Sequence, residues 1–221
     1  MDLITSGNGI EVFLSWLHVL SGVTWIGVLY YFNFIQTPFF GSELGGTAKG
    51  AMTRGLVPNA LWWFRWGAMF TFITGLGLLH FTMARGLNGY IIIGALMGTL
   101  MFLNVWLIIW PNQKIVCGIV PGDAAKAAPK AGLASRTNTL FSAPMLIGMM
   151  GSFHGAGAAG ATAISKAGTS ISLGLWICIG LIAALQLNAI FGKTGPMTTV
   201  KGVIHCSIAL AVVMVALLQF V

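Results

Sequence analysis

Charge is what this chain has least of. Only 7% of its 221 residues are Asp, Glu, Lys or Arg, and four of those are acidic, against roughly 25% charged residues in a soluble domain. With 57% hydrophobic residues and a mean hydropathy of +0.91, this scarcity excludes a water-soluble globular enzyme and points to an integral membrane protein. The shortage of carboxylates also argues against a proton relay running through the spans. Cysteine is nearly as rare: Cys117, Cys178 and Cys206 form neither a CxxC nor a CxxCH, which excludes covalent c-type haem and leaves them as small packing residues. No charged, Pro-rich or low-complexity run is long enough to join two folded units, so residues 1–221 read as a single transmembrane helical domain.

What is present is a set of long apolar runs. The fold class expected is all-α, an integral membrane bundle of about six transmembrane helices placed at about 10–38, 59–84, 89–110, 138–156, 171–192 and 200–220, each near the roughly 20 residues a bilayer requires. The fourth run passes through Pro144 and several glycines, which a membrane helix accepts when neighbours satisfy the freed backbone groups. The first run is flanked by Asp2 and Glu11 rather than by basic residues and is too long for a signal peptide's apolar region, so it is expected to remain as helix 1.

Six spans put both termini on one side, together with Arg85 and Lys166. The other nine basic residues, Lys49, Arg54, Arg65, Lys114, Lys126, Lys130, Arg136, Lys193 and Lys201, fall on the opposite side. By the positive-inside rule that side is cytoplasmic and both termini are outside, in the periplasm if this is a bacterial inner membrane. Trp62, Trp63, Trp66 and Trp110 fall at the cytoplasmic interface, where aromatic anchors collect. The net charge of +7 therefore reads as topology signal and headgroup contact, with a lipid bilayer rather than nucleic acid as the partner. The 111–137 stretch reads as a solvated connector with a short surface helix around 122–128, and residues 157–170 as a small-residue loop with no catalytic side chain.

The histidines are the main clue to chemistry. His18, His80 and His154 fall toward the outer ends of their helices, whereas His205 lies toward the inner end of the last. An imidazole inside a bilayer is costly without a partner. Two neutral imidazoles facing each other from separate helices suit axial ligation of haem b, an iron site. Gly22 lies one turn from His18, Gly77 three residues before His80 and Gly151 three before His154, so small residues would let a macrocycle approach. Trp25, two turns after His18 on the same face, is expected to line that pocket. The expected metal ligands are His18 and His154, with His80, Gly22, Trp25 and Gly151 as further cofactor-binding candidates. Zinc or copper would need more ligands at one level than these spans offer.

Several of these segments also resemble a known family. Leu17-His18-Val19-Leu20-Ser21-Gly22-Val23-Thr24-Trp25-Ile26-Gly27, Trp63-Phe64-Arg65-Trp66-Gly67-Ala68, Asn104 through Lys114, Arg136 through Met145 and Ser152-Phe153-His154 resemble, in order, the membrane domain of the bacterial membrane-bound urate hydroxylases, the urate oxidase N-terminal family. The helix 1 motif also resembles other small haem-binding membrane families. The resemblance implies a periplasm-facing redox protein whose relatives couple urate oxidation to a fused cytochrome c. This chain carries no CxxCH, so the expectation is an oxidoreductase function only in company with a separate cytochrome.

Three readings follow. The first is a haem b protein that passes electrons near the periplasmic face to or from a cytochrome c or a respiratory complex. The second is an accessory structural subunit of a larger respiratory or photosynthetic complex with no chemistry of its own. A transporter, the third, would show broken helices and midplane polar groups, for which only Asn33, Asn104, Gln186 and Asn188 are available. Self-association into a homo-oligomer is compatible with any of them. Arg65 and Arg136 could clamp a carboxylate, but their place on the inner side assigns them to loop carbonyls or lipid phosphate. Asn104, Asn112, Gln113 and Asn138 are expected to cap helices there.

Overall fold

The computed structural model describes residues 7–154 and 172–221. They form a helical bundle: α1 (Gly7–Tyr30), α2 (Thr37–Phe40), α3 (Glu43–Arg85), α4 (Gly89–Leu103), α5 (Trp110–Val116), α6 (Ala124–His154), α7 (Leu173–Phe191) and α8 (Val200–Phe220). Five rods are long and apolar enough to cross a membrane: Gly9–Phe40, Glu43–Arg85, Gly89–Val116, Leu173–Phe191 and Val200–Phe220. The sixth rod, α6, has the length but not the apolarity, because it is the central helix. Its Arg136, Thr137, Asn138, Thr139, Ser142 and Ser152 are buried against neighbours instead of facing lipid. A central helix satisfies polar side chains with protein partners, so it need not read as an apolar run.

Prolines decide where the sequence and the rods part company. The stretch expected as a loop and short surface helix instead begins α6 at Ala124, and the helix continues through Pro129 and Pro144. Ala127, Ala131 and Ala134 on this segment are buried, so one face of it packs on the bundle while Lys126 and Lys130 stay exposed. Pro144 has no N–H to give Leu140. Ser207 of α8 donates its hydroxyl to that carbonyl at 2.8 Å and stands 3.4 Å from the Ala143 amide, which binds α8 across the kink. Likewise α3 runs unbroken through Pro58 and begins at Glu43, well before the expected start, with Ser42 as its cap accepting from the Gly45 amide at 3.1 Å.

Two other prolines loosen the helix upstream of them. Tyr31–Gln36 and Asn104–Ile109 are single π turns, each followed by a residue and then Pro38 or Pro111. The Thr37 amide donates to Phe32 and the Trp110 amide to Val105, the i→i−5 pattern that defines a π turn. Each π turn carries a buried asparagine toward α6. Asn33 donates to Ser135 Oγ at 2.8 Å and to the Leu29 carbonyl, while Asn104 donates to Asn138 Oδ1 at 2.9 Å. The helices loosen without unwinding, so the broken helices expected of a transporter are not seen among the described residues.

The pairs α1–α3, α4–α6 and α7–α8 pack antiparallel, whereas α6 and α8 run in the same direction. Along the α1–α3 seam Gly67 sits under the Trp25 backbone, Gly22 faces Thr71, Gly75 faces the His18 ring and Gly77 faces Leu14. At one end of the bundle Glu11 of α1 takes a bidentate pair from Arg85 of α3 at 2.6 and 2.7 Å, Asn88 donates to Ser152 and Gln219 to Tyr90. The opposite end carries the starts of α3, α6 and α8 and the ends of α5 and α7, and with them most of the described basic residues. There the Arg65 guanidinium lies 3.8 Å over the Trp110 ring. That cation–π contact is what occupies Arg65, rather than a loop carbonyl. Cys117 lies just beyond α5; it is buried, and burial pushes its thiol up from its ordinary value, as suits a packing residue.

Candidate functional site

His18 is half-buried in the α1–α3 seam, and its surroundings set its protonation. Its Nδ1 lies 3.1 Å from Thr74 Oγ1. A threonine hydroxyl has one proton, and Thr74 commits it to the Phe70 carbonyl at 2.7 Å, with the Thr71 carbonyl at 3.1 Å. With that proton on a backbone carbonyl, Thr74 accepts from the imidazole in the tautomer that carries hydrogen on Nδ1. In that tautomer Nε2 holds the lone pair, the arrangement of a histidine held for ligation by a partner on its other nitrogen. The ring lies against Gly75, where an added Cβ would come within 3.1 Å of the imidazole. Trp25, buried on the same helix, has an indole N–H without a protein partner.

The other histidines stand elsewhere. His154 is the last residue of α6 and exposed, as is His80, whose ring stands edge-on to Phe81. Phe153 lies under the Arg85 guanidinium, which pairs with Glu11. That puts His154 level with Glu11, whereas His18 is seven residues, or about 10 Å, further along α1. The shared layer expected for His18 and His154 is therefore not formed, because α6 ends at the level where α1 begins. Gly151 is not open either: the Tyr90 ring fills the space a Cβ would take, at 2.7 Å. Gly22 sees only Thr71, at 3.9 Å. His205 is exposed on α8. No group of three or more His, Cys, Asp or Glu capable of holding a metal ion occurs among the described residues.

Sequence reasoning missed a second site. At the basic end a cavity of about 590 Å³ opens between the first π turn, α3, α6 and the α7–α8 connection. Arg136 of α6 lines it, 7% exposed, with one guanidinium nitrogen lacking any partner, and so does Gln36, whose buried amide oxygen also lacks one. Arg136 was expected at the lipid interface; the inward turn of α6 carries it into the bundle instead. Asn104 and Asn138 also depart from the capping role expected of them, since they join Gln186 in a buried cluster. Asn112 lies inside α5 and caps no helix end; it donates back one turn to the Ile108 carbonyl at 2.7 Å.

The profile of the family described as urate oxidase N-terminal matches residues 80–214. The match takes in His80, His154, the Asn104–Asn138 pair and Arg136, and it begins after the helix 1 motif that holds His18. No curated protein and no solved structure matches the chain.

Proposed function

Because this chain belongs to the urate oxidase N-terminal family, related to the membrane domain of urate hydroxylase, we propose that it is a multi-pass membrane haem b protein that takes part in electron transfer. The observation that supports this reading is the His18 imidazole, half-buried in the α1–α3 seam with its Nδ1 3.1 Å from Thr74 Oγ1, so that Nε2 is the ring nitrogen available to a metal. The residues fit one axial ligand: His18 would hold the iron, Thr74 would orient the ring, and Gly75 keeps the wall beside it low. They do not fit the His18–His154 pair on one iron. Haem b supplies a one-electron carrier when bound. His18 sits in the half of the bundle nearer the end that carries few basic residues, and we assign that end to the periplasm of a bacterial inner membrane, within reach of a cytochrome c or respiratory partner.

The test is the absorption spectrum of protein purified from haem-replete cells. His18→Ala should abolish the Soret band, and Thr74→Val should weaken haem retention by about 10-fold, the usual scale for losing a partner that orients a ligand. His154→Ala and His205→Ala should leave the band in place. A colourless wild-type protein that co-purifies with respiratory subunits would instead favour the accessory-subunit reading. Retention of haem by His18→Ala would remove His18 from the site.

Orientation carries its own prediction. A reporter fused after Val221 should behave as periplasmic and one inserted after Pro121, in the connection between α5 and α6, as cytoplasmic, because positive-inside counting depends on residues within short loops. The reversed pattern would put His18 nearer the cytoplasm and exclude a periplasmic electron partner.

A further inference from the structure

We propose that the cavity at the basic end of the bundle binds a small organic monoanion, a carboxylate or comparable oxyanion on an apolar body. The site is separate from His18 and does not depend on the haem reading.

Three observations carry it. The first is the missing counter-charge. Arg136 is more than nine-tenths buried and one of its guanidinium nitrogens has no partner. A buried charge stripped of its partner is strongly destabilising. The described carboxylates do not serve it: Glu11 pairs with Arg85, Asp123 with Lys126, Glu43 sits in the first turn of α3, and no acidic side chain lines the cavity. An oxyanion would complete the guanidinium, which accepts planar oxyanions in bidentate fashion.

The second is the amide of Gln36. It is held by the π turn that precedes Pro38 and lines the cavity, where its amide NH2 group would donate to an oxyanion already fixed by Arg136. The third is the rest of the wall. Phe32, Val57, Leu61, Phe64, Ile109 and Leu133 line the cavity beside the polar groups, and bare phosphate would leave that surface unfilled. The volume lies in the roughly 300–1,000 Å³ range of small-molecule sites, which combine apolar walls with a few convergent polar groups. Lys193, exposed at the rim, would draw an anion toward the mouth.

Thermal unfolding of the purified full chain in nanodiscs of zwitterionic lipid tests this, with benzoate as the probe and benzamide as its neutral counterpart. Benzoate at ten times its Kd should raise Tm by about 3–6 °C, and benzamide should not. The shift should vanish in Arg136→Gln and shrink in Gln36→Leu, but persist in Lys114→Gln, a basic residue outside the cavity wall. If Arg136→Gln does not fold, Gln36→Leu and Lys193→Ala still decide the matter, since a shift unchanged in both would place the anion elsewhere. Absence of a benzoate shift would overturn the proposal. So would an equal shift from inorganic phosphate, which has no apolar body. A shift produced only by adding phosphatidylglycerol to the nanodisc, with no effect of benzoate, would assign the guanidinium to a lipid headgroup and overturn it as well.

Discussion

Gly148→Val is expected to lower Tm by about 6–12 °C, the shift that a loss of roughly 3 kcal/mol gives in a chain of this size. The cause is a contact that admits no side chain. At Gly148 of α6 an added Cβ would lie 2.9 Å from the Tyr90 carbonyl oxygen and 3.0 Å from the Gly94 Cα. Both obstacles are backbone atoms of α4, so no rotamer change relieves the overlap; the two helices must move apart. Overpacking in a well-packed core costs typically 1–3 kcal/mol and occasionally more. Here the separation would also strain the Asn88–Ser152 bond near the same seam and disturb the Tyr90 ring packed over Gly151. Gly98→Ala is the control: its Cβ would meet only the end of Met149 at 3.8 Å and the Met145 side chain at 4.0 Å, so it should melt within a degree or two of wild type. If Gly148→Val melts with the control, α4 and α6 do not touch through glycine.

The same helix pair shows what could be read from the sequence. Helices α4, α7 and α8 were legible because their outer faces meet lipid, so apolarity runs unbroken along them and hydropathy alone finds them. Helix α6 was legible only in its second half. Its first half carries Lys126, Pro129, Lys130 and Arg136, and a residue-by-residue reading takes those for a loop. Only the surrounding helices make the buried polar side affordable. The π turns were invisible for a similar reason. Pro38 and Pro111 signal that the backbone must adjust, yet whether it kinks, unwinds or slips by one bond depends on what packs beside it. Arg136 was singled out for its chemistry and then assigned to the wrong surroundings, because depth was counted from a helix start placed 14 residues too late. For the histidines, the sequence led to His18 through its depth in helix 1. It could not show that Thr74, 56 residues away, stands 3.1 Å from the imidazole Nδ1. It also could not show that α6 ends level with Glu11, which separates His154 from His18.

The buried amide cluster should respond to mutation in a way that a set of independent contacts would not. Asn104 donates from one amide nitrogen to Asn138 Oδ1 at 2.9 Å and to Gln186 Oε1 at 3.0 Å, and accepts from Gln186 Nε2 at 2.6 Å; Asn138 donates onward to the Met101 carbonyl at 3.0 Å. Asn104 and Asn138 are fully buried, so neither can turn to water for a substitute. Asn104→Leu strands the Asn138 oxygen and both ends of the Gln186 amide. A buried polar group left unsatisfied costs about 1–3 kcal/mol in proteins generally, and interhelical hydrogen bonds in membranes average nearer 0.6 kcal/mol each. With three groups stranded, the expected loss is about 2–3 kcal/mol, or about 4–12 °C in Tm. The decisive comparison is with the triple variant Asn104→Leu, Asn138→Leu and Gln186→Leu. Removing every partner leaves no stranded donor or acceptor in the cluster, and matched apolar replacement is then nearly neutral. The triple variant should therefore melt above the single one, with a coupling energy of opposite sign to simple addition. A triple variant that loses the sum of the single losses would mean that the three amides act separately, and that α4, α6 and α7 are held together by apolar packing alone.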